Sequence, residues 1–251
     1  MEKLMDLHMH SYYSDDGEFS PGELVRQCGM NGIRIMSIAD HNSVRANEAG
    51  RQAALRAGIT YVSGIEIDCT FRGVNLHVLG YGFDDASDDF ACIEDNISSQ
   101  AAAASRQMLC ATRKMGFDVT EKDMEELAGD YYWKDRWTGE MFAEVLLGRE
   151  EYKDHPLLLP YRVGGARGDN PFVNFYWDFY SQGKCCYVKM EYPQLEEVVD
   201  TIHRNGGYAV LAHPGVNLKD RAELLDPILE AGVDGIEAFS SYHSEEQAGF
   251  Y

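Results

Sequence analysis

The chain has 251 residues with 42 acidic and 22 basic side chains, a formal net charge of −20, and it is 45% hydrophobic and 25% charged. This balance describes a globular chain, long enough for one full α/β barrel or for a smaller domain with an insertion. It argues against a partner such as long nucleic acid, whose binding rests on Lys and Arg contacts to phosphates, but not against a small phosphorylated ligand drawn to bound cations. No apolar run approaches the roughly 18 residues of a membrane span, and the first residues lack the basic and apolar regions of a signal peptide. Six cysteines, at positions 28, 69, 92, 110, 185 and 186, show no C-x-x-C spacing and read as reduced thiols, so a cytoplasmic location is expected.

The apolar run Leu4-Met5-x-Leu7 predicts a short buried strand that delivers His8 and His10. Two residues apart on a strand, both imidazoles leave the same face. Asp15 and Asp16 follow, closed by Gly17 in a tight turn. Imidazoles on one strand face with carboxylates folding back over them are a ligand set for a divalent metal. Ser20-Pro21 opens a helix, with Ser20 as N-cap and Glu23 completing a capping box, which runs to about Met30. Residues 33–39 (IRIMSIA) form a continuous β-rich run that suits a strand covered on both faces, ending in Asp40-His41. A helix over 44–57 follows, then strands over 59–68 and 74–83 joined by a turn at Arg72-Gly73.

From residue 84 to 184 the texture changes to that of a helical insertion, or lid domain, between barrel segments 1–83 and 185–251. One long helix is expected over 85–115 and shorter ones over 121–128, 139–147 and 172–181. Aromatics are dense here: Tyr131, Tyr132, Trp133, Trp137, Phe172, Phe175, Tyr176, Trp177, Phe179 and Tyr180. They fit either a core of their own or a base-stacking wall over a site. A Gly/Pro-rich loop over 160–171 holds Arg162 and Arg167, suited to bidentate phosphate recognition or, equally, to a solvated surface. The barrel pattern resumes with a strand over 187–190, a helix over 194–204 and a strand over 208–212 tipped by His213. A helix over 223–231, a strand over 235–239 leading to His243, and a last helix from Glu245 complete the chain.

His8, His10, His41, His77, His213 and His243 all fall in or at the ends of expected strands, with Glu66; His155 and His203 fall elsewhere. Strand ends carry the chemistry in α/β barrels and open sheets, so these scattered residues are expected to converge on a polynuclear metal site.

The stretches DLHMHSYYSDDGEFSP, IADHNS, GIEID, LHVLGYG and VLAHPG resemble the motifs of PHP-domain (polymerase and histidinol phosphatase) phosphoesterases, in particular stand-alone members with a helical insertion that act on nucleotides. The resemblance spans essentially the whole chain. It implies an α/β fold, a distorted (β/α)7 barrel, holding two to three divalent ions, Mn²⁺, Fe²⁺ or Zn²⁺. It further implies that His8 and His10 hold a first ion, that Glu66 bridges it to a second completed by His77 and His213, and that Asp15 and His41 hold a third. Asp15 is preferred to Asp16 for its Ser-Asp spacing, and Asp40 is expected to orient an imidazole. Glu66 and His41 are the expected catalytic residues, and His243, with Arg162 and Arg167, is assigned to the substrate phosphate.

One departure stands out. The family pattern ends in a D-x-H motif beyond the strand over 235–239, and the sequence stops at Tyr251 before any such motif, so a C-terminally incomplete barrel with an exposed edge that a partner chain can cover is expected. The expected function is metal-dependent hydrolysis of a phosphate monoester or diester of a nucleotide or short oligonucleotide. The alternatives are a phosphatase for a small ester of the histidinol phosphate kind and a non-catalytic metal-binding barrel.

Overall fold

The computed structural model describes residues 4–129, 132–219 and 221–251. Its elements in chain order are β1 (Met5–Asp6), α1 (Pro21–Met30), β2 (Ile35–Met36), α2 (Ala46–Ala57), β3 (Thr60–Tyr61), β4 (Gly64–Phe71), β5 (Val74–Tyr81) and α3 (Asp88–Lys114). There follow α4 (Glu121–Ala128), α5 (Gly139–Gly148), α6 (Pro171–Phe179), α7 (Leu195–Arg204), β6 (Tyr208–Leu211), α8 (Pro214–Asn217), α9 (Leu225–Glu230), β7 (Gly235–Ile236) and α10 (Glu245–Phe250). The chain divides into two compact units, residues 1–95 with 192–251, and residues 96–191. The division falls later than the expected boundaries at 83 and 184. Phe90 and Ile93, on the first turns of α3, pack into the first unit's core, and Cys186 is buried in the second unit's core. Residues 187–190, expected as a strand, form an irregular segment.

In the first unit, β1, β2 and β3 are parallel; β4 pairs antiparallel with β5, β5 antiparallel with β6, and β6 parallel with β7. The two sheets meet along one bent segment. Two residues separate β3 from β4, Val62 N–H donates to Met36 O at 2.9 Å, and the chain beyond β2 pairs again at a His41–Glu66 bridge. Residues 60–71 thus track β2 and its extension while turning from one sheet into the other. The turn requires glycine at position 64, where an added Cβ would lie 2.7 Å from Ile38 O and 2.0 Å from Ser37 Oγ. The buried Asn47 of α2 pins that point: its Oδ1 accepts the Gly64 N–H and its Nδ2 donates to Gly64 O, both at 2.9 Å. The β4–β5 hairpin turns on Arg72 and Gly73, at φ +48° and +80°, the pair of positive values that matches the twist of two-residue hairpins.

The strand series therefore runs β1, β2, β3/β4, β5, β6, β7, and among the described residues no backbone pairing joins β7 to β1. Where a distorted, C-terminally incomplete barrel is expected, the described residues form, in their hydrogen bonding, an open mixed α/β series. Along β4, Ile65, Ile67, Cys69 and Phe71 enter a core with Leu195, Val198, Val199 and Ile202 of α7, and the two-residue period sends Glu66 and Asp68 to the opposite face. Met36 and Ile38 are fully buried under α1 and α2, while on the other face Ser37 and Ala39 are buried but Ile35 is 37% exposed, so only the later part of the run is covered on both faces. β1 departs from its expected burial, with Leu4 52% and Met5 57% exposed. Ser20 caps α1 by accepting the Glu23 N–H, but the capping box stays half-formed because the Glu23 carboxylate pairs with Arg26.

The second unit packs Trp133, Trp137, Phe142, Phe175 and Tyr180 into its own core, with Tyr176 and Phe179 against it. Tyr132 and Phe172 are exposed, and Tyr131 lies outside the described residues. All six cysteines are free.

Asn47→Ala tests the bent segment, because it strips both backbone bonds from buried Gly64 and the bond from Tyr61 Oη. Each buried polar group left unpaired costs about 1–3 kcal/mol, so urea unfolding should show a loss of at least about 2 kcal/mol, with faster hydrogen exchange along β4. A loss below about 0.5 kcal/mol would mean the bend is held elsewhere.

Candidate metal centre

Alternation along extended backbone sets the site. Beyond β1 the chain keeps pairing with the extension of β2, Ala39 N–H donating to Met9 O at 2.8 Å, so His8 and His10 share the face that Glu66 and Asp68 occupy on β4. His77 stands opposite Asp68 in the β4–β5 register, His41 follows β2, and His213 follows β6. Five imidazoles close a ring: His8 to His10, His10 to His41, His41 to His77, His77 to His213 and His213 to His8, at centroid separations of 5.1, 4.8, 5.0, 5.2 and 5.7 Å.

The fully buried Glu66 carboxylate sits within that ring. Its Oε2 lies 3.0 Å from His8 Nε2, 3.0 Å from His10 Nε2 and 3.4 Å from His41 Nε2; its Oε1 lies 2.9 Å from His77 Nδ1 and 2.8 Å from His213 Nε2. A carboxylate has about four lone-pair sites, fewer than the five nitrogens turned toward it. The ring's outer nitrogens also face acceptors: Glu237 at 2.9 Å from His8 Nδ1, Asp16 at 2.7 Å from His10 Nδ1, Asp68 at 3.1 Å from His77 Nε2 and Asn217 at 2.7 Å from His213 Nδ1. A neutral imidazole carries one N–H, so the cluster lacks positive charge or protons for its acceptors. The titration behaviour says the same. Burial disfavours the charged form of His8, yet hydrogen bonds to Glu237 and Glu66 push it up to about 9. Burial likewise opposes charge on His10, but Asp16 and Glu66 raise it well above the usual histidine range. Burial works against ionised Glu66, and the surrounding histidines nevertheless hold it well below the usual carboxylate range.

Two imidazole nitrogens are buried without an aligned hydrogen bond, His10 Nε2 and His41 Nδ1. Groups able to share one ion are His8, His10 and Glu66; His10, Asp16 and His41; and His41, Glu66 and His77. Orphaned imidazole nitrogens, one shared carboxylate and nitrogen and oxygen donors without thiolate fit divalent ions of borderline hardness.

The structure brings together His8, His10, His41, Glu66, His77 and His213 of the expected site residues. It places Asp16, not Asp15, on His10 and near His41, because the Ser14-centred turn directs Asp16 inward and Ser14 Oγ donates to it at 2.6 Å. Asp40 orients no imidazole: it accepts the Ser11 N–H at 2.5 Å and the Ser11 hydroxyl at 2.7 Å, and burial pushes its carboxyl up to about 6. His243 spends both ring nitrogens locally, Nδ1 2.9 Å from Ala238 O and Nε2 accepting the Gly215 N–H at 3.1 Å. Arg162 donates to the carbonyls of Leu147 and Tyr152, and Arg167 forms a two-pronged pair with Asp178, both bonds 3.0 Å. Those bonds engage part of each guanidinium's five N–H donors, and Arg162 Nε is buried without a hydrogen-bond partner among the described residues. Three contributors went unforeseen: Asp68, Glu237 and Asn217. The spacing of Glu66-x-Asp68 repeats that of His8-x-His10, and Glu237 ends a strand as His213 does, so both signals were in the sequence.

The PHP domain model matches residues 6–207. The chain is 28% identical over 214 residues to a 5'-3' exoribonuclease of Haemophilus influenzae, covering 85% of this chain and 70% of that one. It is 28% identical over 243 residues to a 3',5'-nucleoside bisphosphate phosphatase of Chromobacterium violaceum, covering 96% and 78% respectively. A solved structure of an amidohydrolase from Chromobacterium violaceum, with bound sulfate and no metal, superposes with a TM-score of 0.80 at 25% identity, covering 98% of this chain and 81% of the other. Motif order, fold and the matched span agree: the chain belongs to the PHP domain family.

Proposed function

We propose that this chain is a metal-dependent phosphoesterase that hydrolyses a phosphate ester of a nucleotide or short oligonucleotide. The observation that carries this reading is the ring of five imidazoles around one buried carboxylate. Support for the substrate class comes from the bisphosphate phosphatase and the exoribonuclease to which the chain is similar. The seven-strand series is read as the distorted (β/α)7 barrel of the family, with residues 96–191 as its helical insertion.

Two to three divalent ions, Mn²⁺, Fe²⁺ or Zn²⁺, would be held by His8, His10 and Glu66, by Glu66, His77 and His213, and by His41 with Asp16. Bound there, such ions clamp phosphoryl oxygens and lower the pKa of water. The protein's own part is to gather the donors in a dry setting. Glu66 is removed from water, so its full negative charge is available to cations on both of its oxygens. Asp68 is itself held by Asn42, which donates to it at 2.8 Å and accepts its N–H at 2.9 Å, and it in turn holds the outer nitrogen of His77. Arg162, Arg167 and His243 take no part in phosphate recognition in this reading. No helix among the described residues is long and apolar enough to cross a membrane.

Loading the purified chain with Mn²⁺, Fe²⁺ or Zn²⁺ and assaying a nucleoside 3',5'-bisphosphate and short oligoribonucleotides tests the activity. Phosphate release above that of metal alone is expected, and its absence with every substrate and ion would overturn the reading. Glu66→Ala should lose metal at both sets that share its carboxylate, read by elemental analysis, and fall to background turnover. Asp16→Ala should lower the metal content while Asp15→Ala leaves it unchanged; the reverse result would restore Asp15. For Arg162→Ala we expect unchanged KM with a stability loss of about 1–3 kcal/mol from the two uncapped carbonyls. A raised KM at unchanged stability would return Arg162 to the substrate.

A further inference from the structure

Two side chains outside the imidazole ring grip it from behind. Glu237, one residue past β7, places Oε1 2.9 Å from His8 Nδ1, and its Oε2 accepts the backbone N–H of His213 at 2.8 Å. Asn217, the last residue of α8, places Oδ1 2.7 Å from His213 Nδ1. Its Nδ2 faces Asn75 O at 3.5 Å, which fixes the end of the amide that meets the ring. A carboxylate, or an amide oxygen, is an acceptor and nothing else. Set against Nδ1, it selects the tautomer with the proton on Nδ1 and leaves the lone pair on Nε2. In both His8 and His213, Nε2 is the nitrogen that faces Glu66, at 3.0 and 2.8 Å.

We propose that Glu237 and Asn217 are positioning residues that hold His8 and His213 as Nδ1–H tautomers, so that both present Nε2 to divalent ions gathered at Glu66. This deepens the metal-centre reading and rests on it. His10 presents Nε2 to Glu66 in the same way, with Nδ1 on Asp16, whereas His77 is turned the other way, with Nδ1 toward Glu66 and Nε2 toward Asp68. Glu237 has a second task. His213 has φ +22° and ψ +61°, a backbone conformation that residues other than glycine seldom adopt, and the second Glu237 oxygen holds its N–H there. One carboxylate thus sets the ring of His8 and the backbone of His213, spanning β1 and β7 where, among the described residues, no strand pairing does so.

The test uses the zinc-loaded chain, labelled with ¹⁵N in its histidines, together with zinc affinity measured by chelator competition. Wild type is expected to show slowly exchanging Nδ1–H signals for His8 and His213. Asn217→Leu, similar in size but without an acceptor, should lose the protected His213 signal and weaken zinc about 10–100-fold, the usual cost of removing a ligand's orienting partner. Asn217→Asp keeps the acceptor and should restore both. Glu237→Gln can accept only one of the two bonds and should weaken zinc by about the same 10–100-fold factor. If zinc binds but His8 or His213 carries its proton on Nε2, or if Asn217→Leu keeps signal and affinity, this assignment falls and the metal centre stands. A wild-type chain that binds no zinc overturns both.

Discussion

A fully buried carboxylate with five imidazoles turned toward it is the constraint on which the first unit depends. An ionised Glu66 away from water is tolerable only if opposite charge or protons surround it closely. The imidazoles supply this in part: the neighbouring carboxylates push His8 and His10 up, and the surrounding histidines hold Glu66 down. Replacing one member would leave the rest of a desolvated network unmatched, so the cluster must be assembled whole. That requirement explains why the cluster draws on five separate strands and strand extensions rather than on one loop. A single segment cannot surround a carboxylate, whereas the extensions of β1 and β2 and the strands β4, β5 and β6 can.

The bent segment over 60–71 makes the assembly possible. By following β2 and then crossing into the second sheet, it carries Glu66 to a point that both sheets reach. Gly64 permits the bend and Asn47 satisfies the backbone groups it strands. The two-residue period then decides the rest: the face carrying Ile65 and Ile67 is taken by α7, so the carboxylates must face the histidines. Packing of the core and assembly of the site are two consequences of one register, and a one-residue slip would exchange them.

What could be read in the sequence follows from that periodicity. His8-x-His10, Glu66 and the strand-tip His213 are visible because alternation and strand ends are local properties. Asp16 over Asp15 was not, since which of two neighbouring carboxylates turns inward depends on the Ser14 hydroxyl and the turn's dihedrals, not on spacing. Asn217 is invisible for a similar reason: it reaches His213 through the single turn of α8, and a lone Asn after His-Pro-Gly carries no periodic signal. The two-sheet course of residues 60–71 is not legible, because Gly64 lies inside what reads as one continuous strand over 59–68. The hairpin turn at Arg72-Gly73 is legible, since a two-residue turn with positive φ leaves a strong local mark, although the strand before it runs to Phe71 and not to Asp68.

The arginines carry a signal in the sequence that the fold also engages in its own contacts. Arg162 and Arg167 stand out in a chain of net charge −20, and their Gly-rich loop suits a phosphate. Yet the helices around them end in carbonyls that need donors, and Arg162 meets Leu147 O near the end of α5 while Arg167 is drawn to Asp178 on α6. A guanidinium satisfies such groups better than any other side chain, because its five N–H donors are fixed in direction. In so acidic a protein, each arginine spent on structure removes one from anion recognition. A phosphate approaching the first unit meets Glu66, Asp16, Asp68 and Glu237 behind the imidazoles, a field that repels it unless cations intervene. Divalent ions on the histidine ring would reverse the sign of that field at the one place where the ester must bind. The same charge pattern would then confine phosphate binding to the metal centre.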